Sequence, residues 1–285
     1  VTEDASTGIV VIALFGSPFS ARYARARRRG PSRALDHCSV NVALYHRGRS
    51  CWTLDERSVE AVSASNAARI GRSAIAWDAD RLVVDVDEST KLGRRVRGRV
   101  VLRPETTTEL RIALDGRGDH AWWPAVPHAR IEVDMVEPGL RFTGAGYHDA
   151  NAGRLPLEAS FARWDWSCAR AGRDVMLTYD VTDREGCHRP LALRIAPSGI
   201  AALDGCPPIQ LPRTLWRLER SVRADPGHGA RVLRALEDGP FYARARVATT
   251  IAGSPVVAMH ETLDVRRLAR GWTRLLAGFR TRRSS

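Results

Sequence analysis

The feature that most restricts the fold is the spacing of short, β-branched apolar runs along the whole chain. Segments 39–45, 74–77, 81–86, 98–102, 128–133, 141–146, 161–168, 175–181, 191–195, 215–221, 241–249 and 256–263 all read as strands, with Gly, Pro and Asp between them. Repeats of that kind predict sandwiches or barrels. Trp77-Asp78-Ala79-Asp80-Arg81-Leu82 predicts a hairpin turn. The apolar run 9–15 has acids ahead of it, so it predicts a first strand and not a signal peptide. Helical spacing is weak over 58–70. It is stronger over 265–279, where Leu268, Trp272, Leu275 and Leu276 share one face and arginines fill the rest. No apolar run is long enough to cross a bilayer as a helix. The length of 285 residues suits about two domains. Met135-Val136-Glu137-Pro138-Gly139 breaks the pattern and predicts a division into 8–138 and 139–285.

Charge narrows the partners. Lys+Arg is 44 against 32 for Asp+Glu, a formal +12, and only Lys91 among the 44 is a lysine. Arginine suits phosphates and carboxylates, so nucleic acid and anionic membrane both come into view; a GC-rich genome gives the same bias with no function attached. The densest block is 24–33, and the tail 280–285 is also basic. Arg163-Trp164-Asp165-Trp166 and the stretch 213–217 around Trp216 interleave aromatics with basic residues. Neither is a known recognition module, and no helix-turn-helix is present, so nucleic acid is not the expected partner. Five cysteines without a CxxC point to a reduced compartment. The sequence holds no GxxxxGK[ST], GxSxG or HExxH. His120 and His128 could meet across a hairpin, and Cys187-His188 adds two soft ligands, but neither pair makes a zinc site. No metal and no cofactor are expected.

The chemistry concentrates between His120 and Trp166. Four of the eight tryptophans lie there, with Asp119-His120-Ala121-Trp122-Trp123-Pro124 at one end. Gly144-Ala145-Gly146-Tyr147-His148-Asp149-Ala150-Asn151-Ala152-Gly153 occupies the middle, and Arg163-Trp164-Asp165-Trp166 closes the stretch. On strands, Tyr147 and Asp149 would share a face, as would His120 and Trp122, with His148 turned away. An Asx-turn at Asp149 or Asn151, with tryptophans filling a barrel mouth, accounts for the same spacing.

These motifs resemble the carotenoid 1,2-hydratase, or hydroxyneurosporene synthase, family. The likeness extends to Phe15-Gly16-Ser17-Pro18-Phe19-Ser20, to 36–45, to Trp77 with 82–88, to 211–217 and to Pro240-Phe241-Tyr242-Ala243-Arg244. It implies an all-β chain of two lipocalin-like β-barrel domains with a C-terminal helix. It also implies a cofactor-free hydro-lyase that adds water to the terminal C1=C2 bond of neurosporene or lycopene. Catalytic roles would fall on Asp149, His120, Trp122 and Tyr147. The setting would be cytoplasmic, at the surface of a photosynthetic inner membrane, with acyclic carotenoid, water and membrane lipid as partners.

Hydration of an isolated alkene needs a real acid, and an aspartate of ordinary pKa ~3.9 is ionised at neutral pH. Desolvation must therefore raise Asp149. Asp149 would protonate C2. The faces of Trp122, Trp164 or Trp166 would stabilise a cation at C1. Asp149 or His120 would take the proton of the added water, and Tyr147 would hold the geometry. The rivals are a non-catalytic terpenoid carrier and a hydratase of another terpenoid such as squalene.

Overall fold

The computed structural model describes residues 1–2, 6–63, 66–273 and 282–283. Its first strands are β1 (Thr7–Leu14), β2 (Cys38–His46), β3 (Arg49–Arg57), β4 (Val59–Ser63), β5 (Ala67–Ile70), β6 (Ser73–Asp78) and β7 (Arg81–Ser89). Next come β8 (Arg95–Thr106), β9 (Ile112–Ala113), β10 (His120–Glu137) and β11 (Leu140–Gly153). After these run β12 (Phe161–Ala171), β13 (Asp174–Asp183), β14 (His188–Ala196), β15 (Gly199–Ala202), β16 (Pro208–Gln210) and β17 (Ser221–Arg223). The last are β18 (Arg231–Asp238), β19 (Tyr242–Ile251), β20 (Ser254–Asp264) and β21 (Arg282–Arg283). Helices are short: α1 (Ala21–Arg29), α2 (Leu157–Ser160) and α3 (Val265–Leu268).

The all-β expectation holds, but the barrels do not. One large sheet runs β11-β10-β8-β7-β6-β5-β4, with β9 on β10; the other runs β15-β14-β13-β12-β20-β19-β18. A barrel needs its first and last strands to pair. Among the described residues neither sheet closes on itself. A sheet β1-β2-β3-β21 and a ribbon β16-β17 complete the set.

The break at 135–141 is a tight hairpin turn between β10 and β11, where Gly139 takes a left-handed φ of 82°. By its internal contacts the chain divides into two units interleaved in sequence. The first takes Val1–Thr107 and His128–Tyr147 with β21; the second takes Thr108–Pro127 and His148–Thr273. In the first unit, β7 alternates strictly, with Leu82, Val84, Val86 and Glu88 buried. Its outer face is tied to β8 by Arg99–Asp85 and Arg95–Asp87. In the second unit, Ala169, Met176, Ile251, Val256 and Ala258 pack together between β12, β13, β19 and β20.

Three local expectations are corrected. Within the stretch 58–70, Val59–Ser63 and Ala67–Ile70 are the antiparallel strands β4 and β5 and not a helix, with Val59 opposite Ile70; cross-strand pairing overrides a weak propensity. Segment 215–221 is irregular, with Arg217 at φ 58°. The helix over 265–279 is broken: α3 ends at Leu268, Ala269 and Arg270 turn, and the chain is helical again at 271–273. Gly271 sits at that restart and weakens a helix by about 1 kcal/mol. Residues 274–279 lie outside the described residues. The hairpin at 78–81 forms as expected, with Ala79 at φ 54°.

Candidate active site

The start of β10 alternates as a half-buried strand should. His120 and Trp122 point inward at 4% and 0% exposure, while Ala121 and Trp123 are less buried. β9 pins this end, with Trp122 opposite Ile112. Asp149 sits half-buried near the end of β11, and the Trp122 indole Nε1–H donates to its Oδ2 at 2.7 Å. The two residues, far apart in sequence, are thereby joined at one point.

An aromatic wall continues from that bond. Trp122 meets the Tyr179 ring edge-on at 5.4 Å, and Tyr179 meets Trp164 at 6.2 Å. Trp164 then meets Phe161 at 5.8 Å, and Phe161 meets His120 at 4.7 Å. β12 brings these together by alternation: Trp164, Trp166 and Cys168 share a face, and a bulge at 161–163 rotates Phe161 onto it. Tyr179 lies directly opposite Trp166 across the β12–β13 ladder. Burial pushes the Tyr179 phenol up, and the charges of Asp149 and Glu261 add to this. Burial pushes the Cys168 thiol up to about 12, again with help from Asp149. Asp149 is therefore close enough to both groups for its charge to act on them. Burial lowers the pKa of the half-buried His148 imidazole, which favours its neutral form.

His120 has a defined task. Its Nδ1 lies 3.0 Å from Asp115 Oδ2 and its Nε2 3.0 Å from the Leu155 carbonyl oxygen. Both partners accept, so keeping both bonds requires both ring protons. Burial alone would raise the Asp115 carboxyl; hydrogen bonds from His120 and the backbone N–H groups of Asp119 and His120 hold it below the usual range instead. Both ring nitrogens are thereby engaged by protein oxygens. Gly153 allows the ring's close approach, since a Cβ there would lie 2.4 Å from His120 Cδ2. Tyr147 stands two residues before Asp149 on β11 and is half-buried. His128 is elsewhere, paired with Glu105. No group of three or more metal-type side chains exists among the described residues.

Two site features escape sequence reasoning. Asp115 belongs to no motif. Tyr179 is found only through the β12–β13 register, which the turn at Gly172 sets and which a reader could count out from it.

The other face of β12 carries a separate polar network. Ser167 Oγ lies 2.9 Å from His260 Nδ1, and Thr262 Oγ1 bonds both His260 Nε2 and Asp165 Oδ1. Ser221 also donates to Asp165. The residue types suggest a nucleophilic triad. Ser167, His260 and Asp165 are all buried, however, so no substrate reaches them. Burial, with Arg220 adding repulsion, brings the His260 pKa down to about 4. The unfolded chain, near 6.5, takes up this proton first as the pH falls. Full stability is therefore present above pH 6.5 and is lost toward pH 4, by up to about 3 kcal/mol from this group. His260→Gln is expected to flatten that part of the curve, measured by urea unfolding at pH 7 and 4.5. An unchanged slope would remove His260 as its source.

A carboxyl held by an indole N–H beside packed aromatic rings is an arrangement suited to acid–base chemistry on an apolar substrate. The family model described as Carotenoid hydratase CrtC matches residues 11–285, and the chain belongs to that family. It is a hydratase that adds water to a carotenoid. It is 42% identical to the acyclic carotenoid 1,2-hydratase of Thiocapsa roseopersicina over 98% of this chain and 70% of that one. The Cereibacter sphaeroides enzyme of the same name is 39% identical, covering 90% of this chain and 92% of its own. A crystal structure of CghA with Sch210972 superposes with a TM-score of 0.53 over 80% of this chain and 79% of that one, at 14% identity, a likeness of fold alone.

Proposed function

We propose that the reaction is addition of water across the terminal C1=C2 bond of an acyclic carotenoid such as neurosporene or lycopene, with Asp149 as the proton donor. The observation that carries this is the Trp122–Asp149 hydrogen bond beside an aromatic wall. With Oδ2 occupied by the indole N–H, the acidic proton resides on Oδ1. Transfer to C2 forms the new C–H bond and leaves a tertiary cation at C1.

Trp122 is fully buried, so its ring face is not what meets that cation; its work is to hold the acid and stabilise the carboxylate that forms. The half-buried Trp164 and Trp166 supply π-faces for the cation, each worth about 2 kcal/mol when desolvated. Water then bonds to C1, and the Asp149 carboxylate recovers the proton, so the acid is restored at the end of each cycle. His120 positions the end of β11, and Tyr147, on the Asp149 side of that strand by alternation, orients the acid or the water.

A carotenoid dissolves in the bilayer, and no helix among the described residues is long and apolar enough to cross one. The enzyme is accordingly read as working at the membrane surface. Expression in a host that makes lycopene is expected to yield products heavier by one water per hydrated end, read by mass spectrometry. Lycopene recovered bound but unchanged would replace this reading with that of a carrier.

A further inference from the structure

The chain's arginines differ in how they are paired. On β6 to β11 of the first unit most are matched by acids, Arg81 by Asp78, Arg95 by Asp87, Arg99 by Asp85, Arg103 by Glu132 and Arg141 by Asp134, with Arg130 the exception. On and after α1 they are not. Residues 15–35 hold six arginines and no acid. Arg22, Arg25, Arg28, Arg29 and Arg33 are exposed, with no acidic partner among the described residues.

The helix is set firmly in place. Ser20 caps it by accepting from the Tyr23 backbone N–H, and Ala24 is buried beneath it. The Tyr23 ring stacks on His37 at 4.9 Å. Arg22, Arg25 and Arg29 recur at helical spacing on the face away from Ala24. Two apolar side chains accompany them: Phe15 is 48% exposed and Leu35 is 38% exposed. These are neighbours in space, because Gly16 packs so tightly on Ala34 that a Cβ would fall 2.8 Å from the alanine methyl.

We propose that α1, with Phe15 and Leu35, is the surface by which this enzyme docks on an anionic phospholipid bilayer. The arginines meet the headgroup charge, and the two apolar side chains enter the acyl boundary. A nucleic-acid backbone matches the arginines but gives Phe15 and Leu35 nothing to bury against. The C-terminal segment suits the task less well: Leu268, expected on its apolar face, is 2% exposed and packs inward. The inference rests on the carotenoid reading only for its purpose; docking itself is measured without substrate.

The test is co-sedimentation of the full chain with vesicles of phosphatidylcholine, or of phosphatidylcholine with one-third phosphatidylglycerol. Wild type is expected to favour the anionic vesicles at least tenfold and to lose that preference in 1 M salt. R22Q/R25Q/R29Q is expected to weaken anionic binding about a hundredfold, from roughly fivefold per arginine. R95Q/R99Q/R103Q, an equal change in net charge, should cost no more than a few-fold. Phe15→Ser with Leu35→Ser is expected to cost about tenfold. Hydration of lycopene presented in detergent should be unchanged in R22Q/R25Q/R29Q, which also shows that the variant folds. Equal losses in the two arginine triples, or equal binding to neutral and anionic vesicles, would overturn the proposal. So would tight binding of duplex DNA with none of vesicles. A wild type that binds vesicles but hydrates nothing leaves the docking surface standing and removes the carotenoid reading.

Discussion

Asp149→Asn is expected to reduce carotenoid hydration at least about a thousandfold while moving the unfolding midpoint by no more than a degree or two. The substitution is close to isosteric, and the amide oxygen still accepts from Trp122 Nε1–H, so the 2.7 Å contact and the packing around it persist. What disappears is the acidic proton. An alkene carbon has no lone pair, and solvent water is far too weak an acid to replace the carboxyl. The neighbouring groups do not substitute. Burial pushes the Tyr179 phenol and the Cys168 thiol up, which makes both poorer acids. His120 has both ring nitrogens committed to Asp115 and Leu155. Turnover of lycopene in detergent, with the unfolding midpoint measured alongside, decides the matter. More than a tenth of the wild-type rate would show that the proton comes from elsewhere. Asp149→Glu, which keeps the acid but moves it by a methylene, is expected to lie between the two.

How far the chain's architecture could be read in advance depends on the range over which each signal acts. The strands that alternate strictly, such as Leu82, Val84 and Val86 on β7, show in the sequence because burial on one face is a local, period-two constraint. The hairpin at Ala79-Asp80 shows for the same reason. Whether sheets close into barrels depends on pairing between distant edges, and no local pattern encodes it; the closure expected is not found among the described residues. The helix expected over 58–70 failed differently, since propensities of a few tenths of a kcal/mol lose to ladder formation between β4 and β5. Within the site, the inward pairing of His120 with Trp122 follows from alternation on β10. The Asp149–Trp122 bond does not, because it joins residues 27 positions apart. It also reassigns Trp122, whose face was expected against the cation, to a hydrogen-bond donor closed to substrate.

That reassignment sets the last prediction. Trp122→Phe keeps an aromatic ring on the Tyr179 edge and removes the indole N–H. In the proposed transition state Asp149 would be giving up its proton, and the N–H would stabilise the negative charge developing on Oδ2. A hydrogen bond to a charged group contributes about 1.5–3 kcal/mol, so kcat should fall roughly 10- to 100-fold. KM should change little, because Trp122 is 0% exposed and offers the substrate no surface. The pH profile gives a second readout. The same N–H favours the ionised carboxylate, so its loss favours the protonated acid, and the alkaline fall in activity should move to higher pH. A smaller ring in a filled core also costs about 1–3 kcal/mol of stability, but lost packing by itself moves neither the kcat-to-KM split nor the alkaline limb. If instead KM rises with kcat intact, Trp122 is a wall of the substrate channel, and the acid is held in place by other groups around it.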